Sequence, residues 1–283
     1  MKFGSEIRLG SFFLIFFIVA VLEFFWPRRQ LLYGRVKRWP HNVGVVFLNS
    51  VVLRYTLPFL SGSAAVGTAL WAQKQGVGFF NHFHFPYGVS VGFCVVFLDF
   101  AIYAQHYFFH RIPILWRLHR VHHADMDYDL TLGARFHTIE VFLSMLIKMA
   151  LVVLWGAPIA SVVLFEVILN GMAMFNHGNF YLPLSVDRFL RKMIVTPDMH
   201  RVHHSVIPAE THSNFGFNFS FWDRLFKTYK AQPLKGHEKM QIGLPDFRDP
   251  KYLKLWWFLW IPFEKTGMEK SPFPTSSMKK QVS

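Results

Sequence analysis

The sequence has a single cysteine, Cys94, in 283 residues. One cysteine excludes an intramolecular disulfide, which needs two thiols, and its place inside a predicted span argues against a cysteine-based metal site. Cofactor motifs are scarce as well, since the chain has no GxGxxG dinucleotide-binding fingerprint and no haem-attachment motif. Electrons for any redox reaction must therefore come from a separate donor.

Acidic residues are few, with 17 Asp and Glu against 30 Lys and Arg and a formal net charge of +13. The basic residues are spread among the segments that connect apolar stretches and do not form a recognisable nucleic-acid-binding module. This distribution favours cytoplasmic loops that touch anionic lipid. It argues against nucleic acid as a partner.

Apolar residues make up 52% of the chain, which includes 33 Phe and 9 Trp. A helix that crosses a bilayer needs about 20 mostly apolar residues. Five stretches approach that length: Phe12 to Phe25, Val43 to Leu60, Val89 to Phe109, Val141 to Trp155 and Ile159 to Phe175. The last two can instead form one hairpin that turns at Gly156 and Pro158. The sequence predicts an all-α integral membrane protein with about four to five transmembrane helices and a cytoplasmic, helical, histidine-rich metal domain.

Basic residues beside the spans set the orientation, because Lys and Arg near span ends stay on the cytoplasmic side. The basic segment from Arg28 to Arg38 outweighs Lys2 and Arg8, so the first span, read as an uncleaved anchor, exits inward. Threading the other spans then places every histidine cluster on the cytoplasmic face. This topology requires that Gly62 to Gly88 be a re-entrant or surface segment.

Three histidine clusters stand out among the 15 histidines: His106-x3-His110, His119-x2-His122-His123 and His200-x2-His203-His204. Residues three and four apart share a helix face, so each cluster can direct several imidazoles to one point. Pro113 separates the first two clusters and suits a break in the helix. Eight imidazoles exceed the four ligands of one structural zinc, and a two-metal centre fits the number better. Spacing does not choose among zinc, copper, nickel and iron.

The order HxxxH, HxxHH, HxxHH resembles the membrane-bound fatty acid hydroxylase and sterol desaturase superfamily. The resemblance runs from Leu98 to Tyr229 and includes LDFAIYAQHYFFHRIPILWRLHRVHH, RFHTIE, NHGN, TPDMHRVHH and NFGFNFSFWDRLFKTY. It implies a diiron, oxygen-dependent enzyme that modifies lipids and receives electrons from a ferredoxin or a cytochrome b5 type protein. With this resemblance, the chain is expected to comprise three units: membrane spans over 1–88, the catalytic domain over 89–230, and an interfacial segment and tail over 231–283.

The resemblance also implies a ligand set of nine histidines around two irons: His106, His110, His119, His122, His123, His177, His200, His203 and His204. His137 and His212 depart from the family pattern, and each can be a ligand, a group that hydrogen-bonds a ligand or a local structural residue. Lys227 stands where relatives commonly carry glycine, which puts the local turn in doubt.

Asp99 shares a helix face with Tyr103, His106 and His110, and an ionisable residue inside a span usually has a partner or a function. We expect it to accept the N–H of a ligating imidazole. Asp125, Asp127, Asp198 and Asp223 are candidates for the same role from loops. Their alternative is that of solvated loop acids or helix caps.

The favoured function is an integral-membrane diiron oxygenase that hydroxylates or desaturates a fatty acyl or sterol-like C–H bond with O2. A metal transporter is a second hypothesis, but it would distribute ionisable residues through the spans as a path. A non-catalytic scaffold that retains the metal is a third. Trp256, Trp257, Phe258 and Trp260 predict an aromatic belt at the membrane surface, and the tail after Glu264 is expected to be mobile.

Overall fold

A computed structural model describes residues 2–56 and 64–266. The α-helices of this part are α1 (Lys2–Phe25), α2 (Arg35–Thr56), α3 (Ala64–Lys74), α4 (Phe79–His82), α5 (Tyr87–Arg111), α6 (Pro113–His123), α7 (Thr138–Trp155), α8 (Ile159–Asn176), α9 (Leu184–Leu190), α10 (Pro197–His203), α11 (Pro208–Thr211), α12 (Phe221–Leu225), α13 (Gly236–Lys239) and α14 (Leu255–Trp260). Short 3-10 helices cover Leu130–Ala134, Pro250–Leu253 and Ile261–Phe263. Within the described residues, β-structure is limited to isolated bridges.

Four helices are long and apolar enough to cross a bilayer: Glu6–Phe25 within α1, and all of α5, α7 and α8. Large apolar side chains on their outer faces are exposed, such as Phe13 at 60% and Phe17 at 66%. A soluble protein rarely leaves so much contiguous apolar surface uncovered, whereas lipid covers it in a membrane. The prediction of an all-α integral membrane protein is confirmed.

The stretch Val43 to Leu60, which we expected to be a span, does not form one in the described residues. Its first part lies in α2, where Arg38, Asn42 and Asn49 are buried against other protein groups. The Arg38 guanidinium donates to Asp125 at 2.8 Å and also pairs with Asp129, and all three side chains are inaccessible to solvent. This ion-pair cluster ties the start of α2 to the loop after α6. The expected end of the span, residues 57–60, lies outside the described residues.

The segment Gly62 to Gly88 was expected to be a re-entrant or a surface segment, and its described part, from residue 64 onward, contradicts the surface alternative. From Ala64 it forms α3, whose small residues Ala65, Ala69 and Ala72 are fully buried where the helix packs against α7 and α8. Small side chains let helix backbones approach closely in membranes. The following turn is tight, because a Cβ at Gly78 would lie 2.2 Å from the amide nitrogen of Gly156.

Gly156 follows the last residue of α7 in the left-handed conformation, with φ of 60°, and Pro158 immediately precedes α8. The last two apolar stretches are therefore two antiparallel spans. The end of α5, the start of α7 and the end of α8 meet at one end of the bundle, which we call the histidine end. There α6, α9 to α13 and the 3-10 helix Leu130–Ala134 form a polar layer. The tail after Glu264 falls almost entirely on residues 267–283, which lie outside the described residues.

The aromatic segment predicted near the C terminus forms α14. Trp256 and Trp260 are 68% and 49% exposed, while Phe258 is buried in a core cluster with Trp116 and Val45. One face of α14 thus anchors the helix to the protein and the other presents indole rings outward. This is the arrangement typical of a helix at a membrane surface.

Candidate metal centre

His106 and His110 lie in the last two turns of α5, four residues apart and on one face. The helix ends at Arg111, and Pro113 begins α6 in the first-turn position where proline's missing N–H costs nothing. The chain thereby reverses within two residues. His119, His122 and His123, in the last turns of α6, return beside the first pair.

The third cluster lies on the short helix α10. Thr196 caps its N-terminus by accepting the Met199 N–H, and Pro197 occupies the first turn. His200, His203 and the following residue His204 face the first two clusters, and His177 joins them from the end of α8. All nine histidines predicted to surround the metals therefore meet in one buried volume.

The nine histidines form two groups, in each of which the potential donor atoms lie within 4.8 Å of one another. The five-histidine group contains His106, His110, His119, His123 and His203, and the four-histidine group contains His122, His177, His200 and His204. Adjacent residues are divided between the groups: His122 and His123 go to different groups, as do His203 and His204. Neighbouring residues on a helix point about 100° apart, which explains the division.

Hydrogen bonds fix which ring nitrogen faces the interior. The Nδ1–H groups of three histidines donate to main-chain carbonyls: His106 to Phe215 at 2.9 Å, His203 to Ser213 at 2.7 Å and His177 to Ala173 at 2.7 Å. Each bond leaves the Nε2 lone pair directed into the cluster. Outer hydrogen bonds of this type orient metal-binding histidines in proteins.

The inward nitrogens make a set of unsatisfied buried atoms. The Nε2 atoms of His106, His110, His119 and His203 have no hydrogen-bond partner among the described residues, and neither nitrogen of His123 or His204 has one. Buried polar atoms normally find partners, so this concentration requires another explanation. The Nε2 atom of His177 lies 3.2 Å from that of His122 and 3.1 Å from that of His200. Nitrogens bound to one ion at about 2.1 Å stand roughly 3 Å apart, so the donor set fits a metal.

Burial keeps these imidazoles neutral. It lowers the pKa of His119 and of His177 to about 3, and neighbouring histidines add to the effect at His177. Burial first, and then charge repulsion from other rings, places the pKa of His122, His123, His200, His203 and His204 well below the usual value. A neutral imidazole is the form that binds a metal.

The three residues predicted as possible ligands or supporting groups lie outside both groups. Asp99 accepts backbone N–H bonds from Asn218 and Phe219, each at 3.2 Å, and the indole N–H of Trp222 at 2.8 Å, rather than an imidazole N–H. It thus fastens the loop after α11 to α5. His137 caps α7, where its Nδ1 accepts the Ile139 N–H.

His212 is closer to the site, with its Nδ1 atom 3.1 Å from Nδ1 of His110. Burial, assisted by Arg111, lowers the pKa of His212 to about 4. A neutral His212 can therefore form one hydrogen bond with His110, in which the Nδ1–H of one ring donates to the Nδ1 of the other. It contacts the five-histidine group from outside.

Among the loop acids, Asp223 supports the site indirectly. It accepts the N–H groups of Phe215 and Gly216 at 2.7 and 2.8 Å, and the Phe215 carbonyl in turn accepts from His106. Asp125 is occupied by Arg38, Asp127 accepts the N–H groups of Leu32 and Tyr33, and Asp198 pairs with Arg28 and Arg201. These acids organise the histidine end through the backbone and through arginines.

Glu140 was not singled out from the sequence, and its carboxylate contacts a ring of the five-histidine group. Its Oε1 accepts the His119 Nδ1–H at 2.7 Å, and its side chain is only 5% exposed. The signal was available, because Glu140 is an acid at the beginning of an apolar helix. It was overlooked because the predicted span began one residue later.

An apolar cavity of about 360 Å³ adjoins the histidines. His106, His119, His122 and His200 form its inner wall, and α1, α2, α5, α7 and α8 contribute mainly apolar side chains such as Leu53, Ile102, Phe109 and Met145. The cavity extends from the histidine end into the membrane-spanning part of the bundle. The cavity therefore has space for part of an apolar molecule beside the histidines.

Fold and site together define a class: an integral membrane protein with a buried, two-part polyhistidine centre at the end of an apolar cavity. The sequence profile of the fatty acid hydroxylase family matches residues 91–228, which identifies this part of the chain as a fatty acid hydroxylase domain. The resemblance inferred from the histidine motifs is confirmed.

Several characterised relatives are lipid oxygenases by name. The chain is 25% identical over 243 residues to the ornithine lipid hydroxylase of Rhizobium tropici, covering 82% of this chain and 70% of that protein. Identity to human alkylglycerol monooxygenase is 26% over 152 residues, which are 52% of this chain and 31% of that protein. Mouse cholesterol 25-hydroxylase is 26% identical over 145 residues, 50% of this chain and 47% of that protein. No solved structure matches the chain significantly.

Proposed function

We propose that this protein is a diiron oxygenase that hydroxylates a C–H bond of a membrane lipid with O2 and externally supplied electrons. The observation that carries the proposal is the pair of buried histidine groups beside a cavity for a long apolar molecule. The balanced reaction takes the lipid C–H, O2, two electrons and two protons to the lipid alcohol and water.

The five-histidine and four-histidine groups would each hold one iron. The number of donors supports two ions, because nine imidazoles exceed the requirement of a single site. Iron is favoured over zinc by the match to the fatty acid hydroxylase family over residues 91–228, since the resemblance to that family implies a diiron centre. When bound, the irons would supply the activation of O2.

The protein itself positions the lipid, sets the donor strength of the imidazoles and excludes water from the site. Main-chain carbonyls hold the rings of His106, His177 and His203 in one tautomer, and Glu140 does so for His119. A carboxylate on the outer nitrogen makes the inner nitrogen a stronger donor, and it also offsets positive charge in a site whose inner ligands are neutral. The apolar walls of the cavity align a lipid chain and keep bulk water away from the reacting position.

Hydroxylation is favoured over desaturation by the relatives, whose names describe hydroxylases and monooxygenases acting on three different lipids. The chain spans about a third of the length of the alkylglycerol monooxygenases, so their particular substrates are not transferred to it.

We further propose that the histidine end faces the cytoplasm and receives electrons from an acidic donor such as a ferredoxin or a cytochrome b5 type protein. Exposed basic residues gather on α9, α12, α13 and the nearby loops: Arg188, Lys192, Arg224, Lys227, Lys235 and Lys239. Basic residues outside spans favour the cytoplasmic side. They also speed encounter with an acidic partner.

The test combines metal counting with lipid mass spectrometry. Purified wild-type protein should contain close to two irons per chain, and cells that express it should accumulate a lipid heavier by one oxygen. His203→Ala should remove both the second iron and the new lipid. An active preparation that never exceeds one iron per chain would contradict the dinuclear centre, and a product lighter by two hydrogens would replace hydroxylation with desaturation.

A further inference from the structure

Three charged side chains from three different spans meet inside the membrane-spanning part of the bundle. Glu166 of α8 pairs with Arg8 of α1, and the Lys148 ammonium of α7 lies 3.4 Å from the other Glu166 oxygen. The side chains are 7%, 20% and 11% exposed, respectively. We call these three residues the intramembrane cluster. Ionisable residues inside a span are costly and therefore mark a functional site by default.

The intramembrane cluster carries one positive charge in excess, because two cations share one carboxylate. A cation without a full counter-charge is expensive in an apolar environment. Arg8 holds Glu166 closely, whereas the Lys148 contact is long for a hydrogen bond. A second anion beside Lys148 would complete the charge balance.

Lys148 also lines the cavity that leads to the histidines. On α7, Glu140, Ser144 and Lys148 follow one another at intervals of four residues and all border the cavity. Glu140 contacts His119 at one end, and Lys148 lies eight residues further along, or roughly 12 Å along the helix axis. The cavity therefore has imidazoles at one end and an ammonium group towards the other.

We propose that the intramembrane cluster binds the anionic headgroup of the lipid substrate, a carboxylate or a phosphate, while the apolar chain extends toward the histidines. The proposal rests on the proposed oxygenase function and adds substrate class and orientation to it. The substrate lies with its tail toward the metal centre. Oxidation then falls on a carbon well removed from the headgroup, and neutral lipids of the same length bind less tightly.

The experiment measures binding without turnover, so that it remains informative even if the protein is not an oxygenase. The full chain, as purified, is placed in phosphatidylcholine nanodiscs without a reductant. Stearate, stearoyl lysophosphatidate and octadecanol then compete against a spin-labelled fatty acid. We expect at least one of the two anionic lipids to bind about tenfold more tightly than the alcohol, a difference that corresponds to about 1.4 kcal/mol. Comparing stearate with lysophosphatidate identifies the anion.

Variants separate headgroup binding from helix packing. Lys148→Met should remove the preference for the anion and leave octadecanol binding unchanged, whereas Lys148→Arg should retain the preference. Arg54→Met, which removes an exposed cation of α2 away from the cavity, is the matched control and should behave as wild type. Glu166→Gln raises the cluster's positive charge and should preserve or increase the preference.

A purely structural cluster gives a different pattern. Lys148→Met and Glu166→Gln would then lower the thermal midpoint and weaken all three lipids equally, which would overturn the proposal. Equal affinity of wild-type protein for stearate, lysophosphatidate and octadecanol would overturn it as well. In active protein, a product hydroxylated next to the headgroup would contradict the tail-first orientation even if anion binding held.

Discussion

Glu140 accepts the Nδ1–H of His119 at 2.7 Å, and both side chains are buried. Glu140 lies in the first turn of the span α7 and His119 lies near the end of α6, so this one contact couples a transmembrane helix to the polar layer at the histidine end. Among the inward-facing rings, His119 is the one whose outer nitrogen meets a carboxylate rather than a main-chain carbonyl.

Replacing Glu140 by Gln should weaken metal binding about 10- to 100-fold, because the amide still accepts the hydrogen bond but no longer supplies negative charge. Competition with a chelator followed by metal analysis measures the loss. Asp246→Asn removes an exposed acid far from the bundle interior and serves as the control. Equal metal affinity in Glu140→Gln and the control would mean that the carboxylate does not tune the site.

The two histidine groups should be separable by metal counting. His200→Ala removes one of the four donors of the smaller group, and iron should fall from two toward one per chain. His212→Ala should retain two irons, because His212 touches His110 from outside both groups. If His212→Ala loses a metal while His200→Ala keeps both, the assignment of ligands is wrong.

The stability of the metal-free protein should fall as the pH drops below about 6.5. Burial holds the pKa of His119 and His177 at about 3, so between these values the unfolded chain binds protons that the folded chain does not. In this window each such histidine lowers the free energy of unfolding by up to about 1.4 kcal/mol per pH unit of acidification. The five histidines whose pKa is lowered further make the dependence of that free energy on pH steeper.

Thermal midpoints of the metal-free protein at pH 7.5 and pH 5.5 provide the measurement. The loss of stability should disappear above pH 6.5, where neither state binds the protons. His84→Gln, at an exposed position, should leave the profile unchanged. A midpoint independent of pH in this range would indicate that the histidines are not buried as a neutral cluster in the absence of metal.

Lys227→Gly should stabilise the fold by about 1 kcal/mol, because a side chain in the left-handed region carries a steric cost that glycine avoids. Lys227 has φ of 59° and is exposed, so no side-chain packing is lost. A positive φ at Lys227 is consistent with the glycine that the family resemblance implies for this turn. Lys227→Ala keeps the Cβ and should bring no comparable gain in thermal midpoint, and equal midpoints for the Gly and Ala variants would argue against backbone strain.

The membrane spans and the nine histidines were predictable because their signals are local. A bilayer requires about 20 apolar residues in sequence, and helical spacing aligns histidines within each cluster. The prediction of a fifth span was wrong because it relied on apolar content alone. Arg38, Asn42 and Asn49 have buried hydrogen-bond partners in the segment between α6 and α7, and composition does not reveal such partners. Similarly, the sequence left a re-entrant and a surface segment open for α3, because its small residues indicate burial only once they are seen packed against α7 and α8.

By itself, the sequence determined the class of protein, the membrane character and the residues that surround the candidate metals, because length, composition and spacing are properties of single segments. Only the tertiary structure decided how those histidines divide into two groups and which carboxylate supports them. Asp99 and Glu140 look alike in sequence, as lone acids on apolar helices, yet Asp99 binds the backbone near Asn218 and Glu140 binds His119. Hydrogen bonds between distant segments depend on helix packing, and no local pattern encodes the partner.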